Sequence, residues 1–192
     1  MIILSAGHNL GKNTLLSRED RGAQCSWNLD GIIKPYTEYD VVQSIIWDFL
    51  SKYPTVAGQK VVQIPTKLNI SQRLKWLKAN AVEGRDTVVE LHMDAGIVGK
   101  STGCMAYYRT GNHWAEDEVK QFMVGYSGAS GIPLKRVVES KTSRFGRLGI
   151  IDDSNVFTFL VEMGFITNVE DLKKIRKNGA KAIKAGLDEM FA

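Results

Sequence analysis

The sequence predicts an α/β fold, with a mostly parallel, mixed central sheet sandwiched by helices. Short continuous apolar runs end at turn residues, as strands buried on both faces require. Stretches with apolar residues at helical spacing alternate with those runs along the chain. No internal repeat, low-complexity tract or linker interrupts the alternation, and 192 residues at 44% hydrophobic composition are enough for one core. Residues 1–192 are therefore expected to form a single domain.

The first expected strand is Ile2-Ile3-Leu4, closed by Gly7. From about Asn9 to Lys34 the chain is polar and dotted with glycine, which reads as a long loop. Thr37 suits the N-cap of a helix whose apolar face is Val41, Val42, Ile45, Ile46 and Phe49, with Pro54 and Gly58 bracketing its exit. Val61-Val62-Gln63-Ile64 follows as the second strand, and Ser71 is placed to cap a helix built on Leu74, Leu77 and Ala81. The third strand, Thr87 to Leu91, ends at His92. Gly103 to Tyr108 has strand composition, and Val119, Phe122, Met123 and Tyr126 form a helical stripe. Phe157 to Val161 is a further buried strand. Asn168 is expected to cap a helix that Lys177-Asn178-Gly179 interrupts before a final helix carrying Ile183 and Leu187.

Composition narrows the function classes. The net charge of +4 and pI near 9.0 come from Lys and Arg interleaved with acids, so no nucleic-acid partner is expected. No stretch of about 20 apolar residues suggests a membrane span. The N-terminus shows no basic region and too short an apolar stretch for a signal peptide. Two cysteines, Cys25 and Cys104, imply neither a disulfide framework nor a metal knuckle, and reduced thiols are the plainer reading.

Four residues stand where buried elements give way to loops or helices. His8 follows the first strand, His92 the third and Glu162 the Phe157 to Val161 run, while Glu38 opens the helix after Thr37. Sites in such folds form beyond the carboxyl ends of the strands, so all four are expected on one rim. His8, Glu38 and His92 make a His/Glu/His set able to bind zinc, and Glu162 is a separate carboxylate that can serve as base. Singly, each has a plainer reading. A lone histidine is more often structural, and a glutamate in a first helical turn complements the helix dipole. Glu162 ends the largely apolar run Phe157 to Val161, where a carboxylate is costly to bury unless paired or functional. Glu19 and Asp20 are alternatives to Glu38, His113 reads as decoration of a helix start, and Glu90 or Asp94 can orient a ligand from behind. The Tyr107-Tyr108 pair reads as core.

An ordered set of segments resembles one family. Leu4-Ser5-Ala6-Gly7-His8-Asn9, Glu38 at the head of an amphipathic helix, Glu90 to Ala95, Gly103 to Tyr108 and Leu160 to Asn168 are similar to the zinc-dependent N-acetylmuramoyl-L-alanine amidases of the Amidase_3 type. Arg73 and Asn80 fit the same family's Arg-plus-Ala-Asn pattern. The resemblance implies Zn2+ as cofactor, with His8, Glu38 and His92 as ligands and Glu162 as the catalytic glutamate of a Val-Glu-x-Gly-Phe-x-x-Asn signature. It also implies bacterial peptidoglycan as substrate, cut at the amide between N-acetylmuramic acid and L-alanine of the stem peptide. The chain departs from the family at Asn9 and Leu10, where more glycine is common, and at Asp94, where asparagine is common. Alternatives are a zinc peptidase acting on stem-peptide bonds and a non-catalytic wall-binding module. A single catalytic domain without a separate wall-binding module is expected, monomeric and without membrane insertion. The expected setting is a phage or prophage endolysin held in the host cytoplasm until release, or an exported wall enzyme if the domain is excised from a larger one.

Overall fold

The computed structural model describes residues 1–12, 19–29 and 31–192. Its elements in chain order are β1 (Ile2–Ala6), β2 (Asn9–Lys12), β3 (Glu19–Asp20), β4 (Gln24–Leu29), β5 (Ile32–Thr37), α1 (Glu38–Lys52), β6 (Thr55–Val56), β7 (Gln59–Gln63), α2 (Ile70–Asn80), β8 (Thr87–Asp94), β9 (Cys104–Tyr108), α3 (His113–Ser130), β10 (Leu134–Glu139), α4 (Gly149–Asp152), β11 (Phe157–Phe165) and α5 (Val169–Met190). Seven strands form the central sheet in the order β10-β9-β11-β8-β1-β7-β6. Its centre, β11-β8-β1-β7, is parallel, whereas β9 runs antiparallel to β11 and β6 antiparallel to β7. The mixed, mostly parallel sheet is the one expected.

Why the strands read as unbroken apolar runs follows from the layers. Alternate residues of β1, β8 and β11 point to opposite faces, and both faces are covered. Leu4, Val89 and Phe159 join a core with Ile46 and Phe49 of α1, Phe122 and Tyr126 of α3, and Ile183 and Leu187 of α5. Ile3, Val88 and Leu160 join a smaller core with Leu77 of α2 and Ile150 and Ile151 of α4. Among the described residues, no helix is long and apolar enough to cross a membrane.

Helix starts follow local chemistry. Thr37 caps α1, accepting from Asp40 N, and Asn168 caps α5, accepting from Glu170 N and Asp171 N. For α2 the cap is Asn69 rather than Ser71: Asn69 and Gln72 form a reciprocal capping box, satisfying two backbone donors at once.

Other elements differ from expectation. The polar stretch before Thr37 contains the antiparallel hairpin β4–β5, in register from Gln24↔Thr37 to Leu29↔Ile32, and the short β2–β3 pair. Residues 13–18 and 30 of the expected loop lie outside the described residues. β4 and β5 are largely exposed and include Pro35, so they lack the apolar runs by which the central strands are recognised. β10 escaped notice for a similar reason, being a half-exposed edge strand. The helix over Val169–Met190 is continuous through Lys177-Asn178-Gly179. Gly179 serves contact there rather than termination: an added Cβ would lie 3.1 Å from Ile45 of α1. Cys25 and Cys104 are both free.

Candidate metal centre

Strand direction assembles the site. β1, β8 and β11 are parallel neighbours, so their carboxyl ends share one edge. His8 lies just past β1, His92 lies near the end of β8, and Glu162 of β11 is paired in register with His92. The fourth residue, Glu38, arrives from the first turn of α1. Its backbone N–H donates to Ala23 O at 2.8 Å, which fixes the helix start against the segment leading into β4.

The structure brings His8, Glu38 and His92 into one cluster, with one potential ligand atom from each lying within 4.8 Å of the others. Glu38 sits between the two rings, Oε2 at 3.1 Å from His8 Nε2 and Oε1 at 2.8 Å from His92 Nδ1. The same carboxylate accepts from the backbone N–H groups of Ala23 and Met93, both at 3.1 Å. Four contacts thus orient a side chain that is only 4% exposed. The His8 and His92 rings meet edge to face with centroids 5.1 Å apart.

Two glycines make the approach possible. A Cβ on Gly7 would stand 1.9 Å from His92 Cε1 and Nε2. At Gly22, where φ is +69°, it would stand 2.4 Å from Glu38 Oε2 and 2.5 Å from His8 Cδ2. Gly22 therefore needs both its left-handed backbone and its missing side chain. Nothing in the polar stretch around it singled it out.

Asp20, considered as an alternative ligand, instead holds His8 from behind, Oδ1 at 2.8 Å from Nδ1. That contact leaves His8 Nε2 facing Glu38. The Glu19 side chain, like those of Asn9 and Leu10, lies outside the described residues. Glu90 stands on the far side of His92 from Glu38, its Oε1 3.6 Å from Nε2, an ion-pair distance beyond hydrogen-bond reach. His113 is exposed at the start of α3 and takes no part, the cap being Asn112. Of the Tyr107-Tyr108 pair, Tyr108 is core and donates to Glu116, while Tyr107 is half-buried.

The electrostatics favour positive charge at the cluster. Burial alone would raise the pKa of Glu38, but its hydrogen bonds to His8 and His92 hold it well below the usual carboxylate range. Burial would lower His92, yet Glu38 and Glu90 raise it well above its ordinary value, and Glu38 similarly raises His8. Glu162 behaves oppositely. Burial lifts it to about 7, partly offset by His92 and reinforced by Glu38 and Asp94. Its Oε2 is buried without a hydrogen-bond partner among the described residues, so a basic oxygen is available beside the cluster. Two imidazoles and one carboxylate, with Asp20 hydrogen-bonded behind His8 and the Glu90 carboxylate near His92, are a donor set suited to a divalent first-row metal with a coordination position left over.

Residues 2–189 match the Amidase_3 family, described as N-acetylmuramoyl-L-alanine amidase. No curated protein matches the chain in sequence. Among solved structures, the fold is shared with the N-acetylmuramoyl-L-alanine amidase of Clostridium difficile 630, with a TM-score of 0.73 at 16% identity over 98% of this chain and 93% of that one. The catalytic domain of the CD27L endolysin targeting Clostridia difficile gives 0.71 at 19%, over 99% and 95%. That of the amidase CwlV from Bacillus (Paenibacillus) polymyxa gives 0.69 at 16%, over 98% and 96%. At such identities these likenesses speak for the fold alone. The family match, running almost from one end of the chain to the other, carries the assignment: the chain belongs to the Amidase_3 family of N-acetylmuramoyl-L-alanine amidases.

Proposed function

We propose that this peptidoglycan amidase is zinc-dependent and hydrolyses the amide joining the lactyl group of N-acetylmuramic acid to L-alanine of the stem peptide. His8, Glu38 and His92 would hold the zinc, and Glu162 would move the proton. The observation that carries the reading is the His/Glu/His cluster, built on a buried Glu38 between two half-buried histidines, with a weakly acidic carboxyl beside it whose Oε2 has no hydrogen-bond partner among the described residues.

When bound, zinc supplies Lewis acidity toward a carbonyl oxygen and a water whose pKa is lowered towards about 7. The protein supplies orientation and proton transfer. Asp20 holds the His8 ring by a hydrogen bond, the Glu90 carboxylate lies near His92 Nε2, and the backbone donors of Ala23 and Met93 keep the Glu38 carboxylate from rotating. Glu162 accepts a proton from the water that attacks the amide carbon. As the C–N bond breaks, the same carboxyl returns that proton to the departing nitrogen. The products are the free lactyl carboxylate and the free amino group of L-alanine. A carboxyl whose pKa lies near neutrality suits both halves of this transfer, since it is neither too weak a base nor too weak an acid.

Digestion of purified cell walls followed by mass spectrometry tests the bond. New L-alanine amino termini with intact muramyl lactate are expected, whereas termini within the stem peptide would establish a peptidase instead. Removal of metal by a chelator should abolish release and zinc should restore it; full activity in metal-free protein would sink the zinc reading. The setting expected from the sequence, a phage or prophage lysin, belongs to the same proposal. Expression together with a membrane pore-former should lyse host cells, and expression alone should not.

A further inference from the structure

We infer that Arg73 is the positioning residue of the metal centre, a buried guanidinium that ties the strand end carrying His8 to the carboxylate behind His92. The inference rests on the zinc reading of the cluster.

Ser5, Glu90 and His92 lie on the face of the sheet that α2 covers, because each is an even number of residues from Ile3 or Val88 of that core. Ser5 and Glu90 are direct neighbours in the parallel register. Arg73, 5% exposed, reaches them from α2. Its Nη1 donates to Glu90 Oε1 at 2.7 Å, to Ala6 O at 2.9 Å and to Ser5 Oγ at 3.2 Å, while Nη2 donates to Gly7 O at 2.8 Å. The Ala6 and Gly7 carbonyls immediately precede His8. The Glu90 oxygen that Arg73 grips is also the one 3.6 Å from His92 Nε2. One side chain therefore links the backbone just before His8 to the carboxylate nearest His92 Nε2, in addition to the backbone ladder that joins β1 to β8.

A purely stabilising role explains this arrangement poorly. A buried ion pair is a weak source of stability, because desolvation offsets its attraction. Arg73 Nε and Glu90 Oε2 are moreover buried without hydrogen-bond partners among the described residues, a cost that an apolar pair would avoid. What the pair does accomplish is directional: with the Glu90 carboxylate 3.6 Å from Nε2, His92 presents Nδ1 to Glu38. The fork lets Nη2 hold Gly7 O while Nη1 serves Ser5, Ala6 and Glu90, a span that the single ammonium nitrogen of lysine lacks, so lysine should not replace arginine here.

Arg73→Lys and Glu90→Gln test the role, with three readouts on each protein: circular dichroism of the metal-free form, zinc affinity by chelator competition, and the visible spectrum of the cobalt(II) form. Both variants are expected to keep the fold, to bind zinc about 10- to 100-fold more weakly, and to shift the cobalt bands. A folded variant of either kind with zinc affinity within about threefold of wild type and an unchanged cobalt spectrum overturns the positioning role. Should Arg73→Lys fail to fold, Glu90→Gln decides alone; loss of the fold in both would assign the network to structure and overturn the inference. Wild-type protein that takes up no zinc defeats the metal reading itself. Tight wild-type binding with unaffected variants defeats only the role of Arg73.

Discussion

On one face of the central sheet Leu4, Val89, Leu91, Phe159 and Val161 pack against α1, α3 and α5 in an apolar layer. On the other face, the same three strands carry Ile3, Val88, Thr158 and Leu160 but continue, toward their carboxyl ends, with Ser5, Glu90, His92 and Glu162. The first face is uniform along the strands; the second changes character halfway. Side-chain alternation lets one strand serve both layers, so the chemistry can be concentrated at one end of one face while the larger core stays intact. The two faces should therefore fail differently when altered.

The largest effect is expected at Glu162. Glu162→Gln removes the base while leaving the three proposed ligands in place, so kcat should fall about 10³-fold, roughly 4 kcal/mol in the barrier, with zinc content unchanged. Turnover within about tenfold of wild type would show that Glu162 is not the proton carrier. On the apolar face, Phe159→Ala should do the reverse. Phe159 is fully buried and its ring meets those of Phe122 and Phe157 at 5.1 and 5.6 Å. Its truncation should cost about 3 kcal/mol of stability in denaturant unfolding and leave zinc affinity within about twofold. A large loss of zinc affinity there would mean that the two faces are coupled.

How much of this contrast is legible in the sequence depends on the range of the signal. The buried runs of β1, β8 and β11, the Thr37 and Asn168 caps and the rim position of His8, His92 and Glu162 all follow from patterns within a few residues of one another. The hairpin β4–β5 does not, because its exposed strands pair chiefly with each other and leave no apolar run. Lys177-Asn178-Gly179 carries the local marks of a helix end, but tertiary contact with Ile45 of α1 overrides them. The Arg73 network is harder still. Arg73 stands 68 residues from Ser5 and 17 from Glu90, and only the parallel register makes those two acceptors neighbours. Family resemblance drew attention to Arg73 and Asn80 alike, yet the structure separates them: Asn80 is exposed and merely donates to Trp76 O.

A smaller effect should appear in acid. Burial would raise the pKa of Glu90, but Arg73 and His92 hold it down at about 2. A carboxyl more acidic in the folded state contributes stability that is complete above its ordinary value of 4.5 and is lost as pH falls toward about 2. Metal-free Glu90→Gln should accordingly be less stable than wild type at pH 6, by about 2 kcal/mol, and the gap should narrow as pH falls to 3. A gap independent of pH would mean that the loss comes from packing rather than charge.

The smallest effect has the opposite sign and bears on the same face. Glu162 has its pKa raised from 4.5 to about 7, first by burial and then by Glu38 and Asp94, against the opposing pull of His92 and His8. The folded chain thus holds this proton more tightly than the unfolded chain does. Stability is therefore undiminished below about 4.5, declines as pH rises through the interval up to about 7, and stays lowered above it. Glutamine keeps the shape but never ionises. Metal-free Glu162→Gln should match wild type near pH 4.5 and melt a few degrees higher at pH 8, on the scale of about 2 to 4 °C per kcal/mol for a chain of this size. Zinc should shrink that difference, since a nearby divalent cation favours the ionised carboxylate. Higher activity with Glu162 and higher stability without it are together the signature of a residue kept for chemistry. If glutamine were instead destabilising at pH 8, the α2 face would owe its polar end to folding, and the contrast between the two faces would lose its functional meaning.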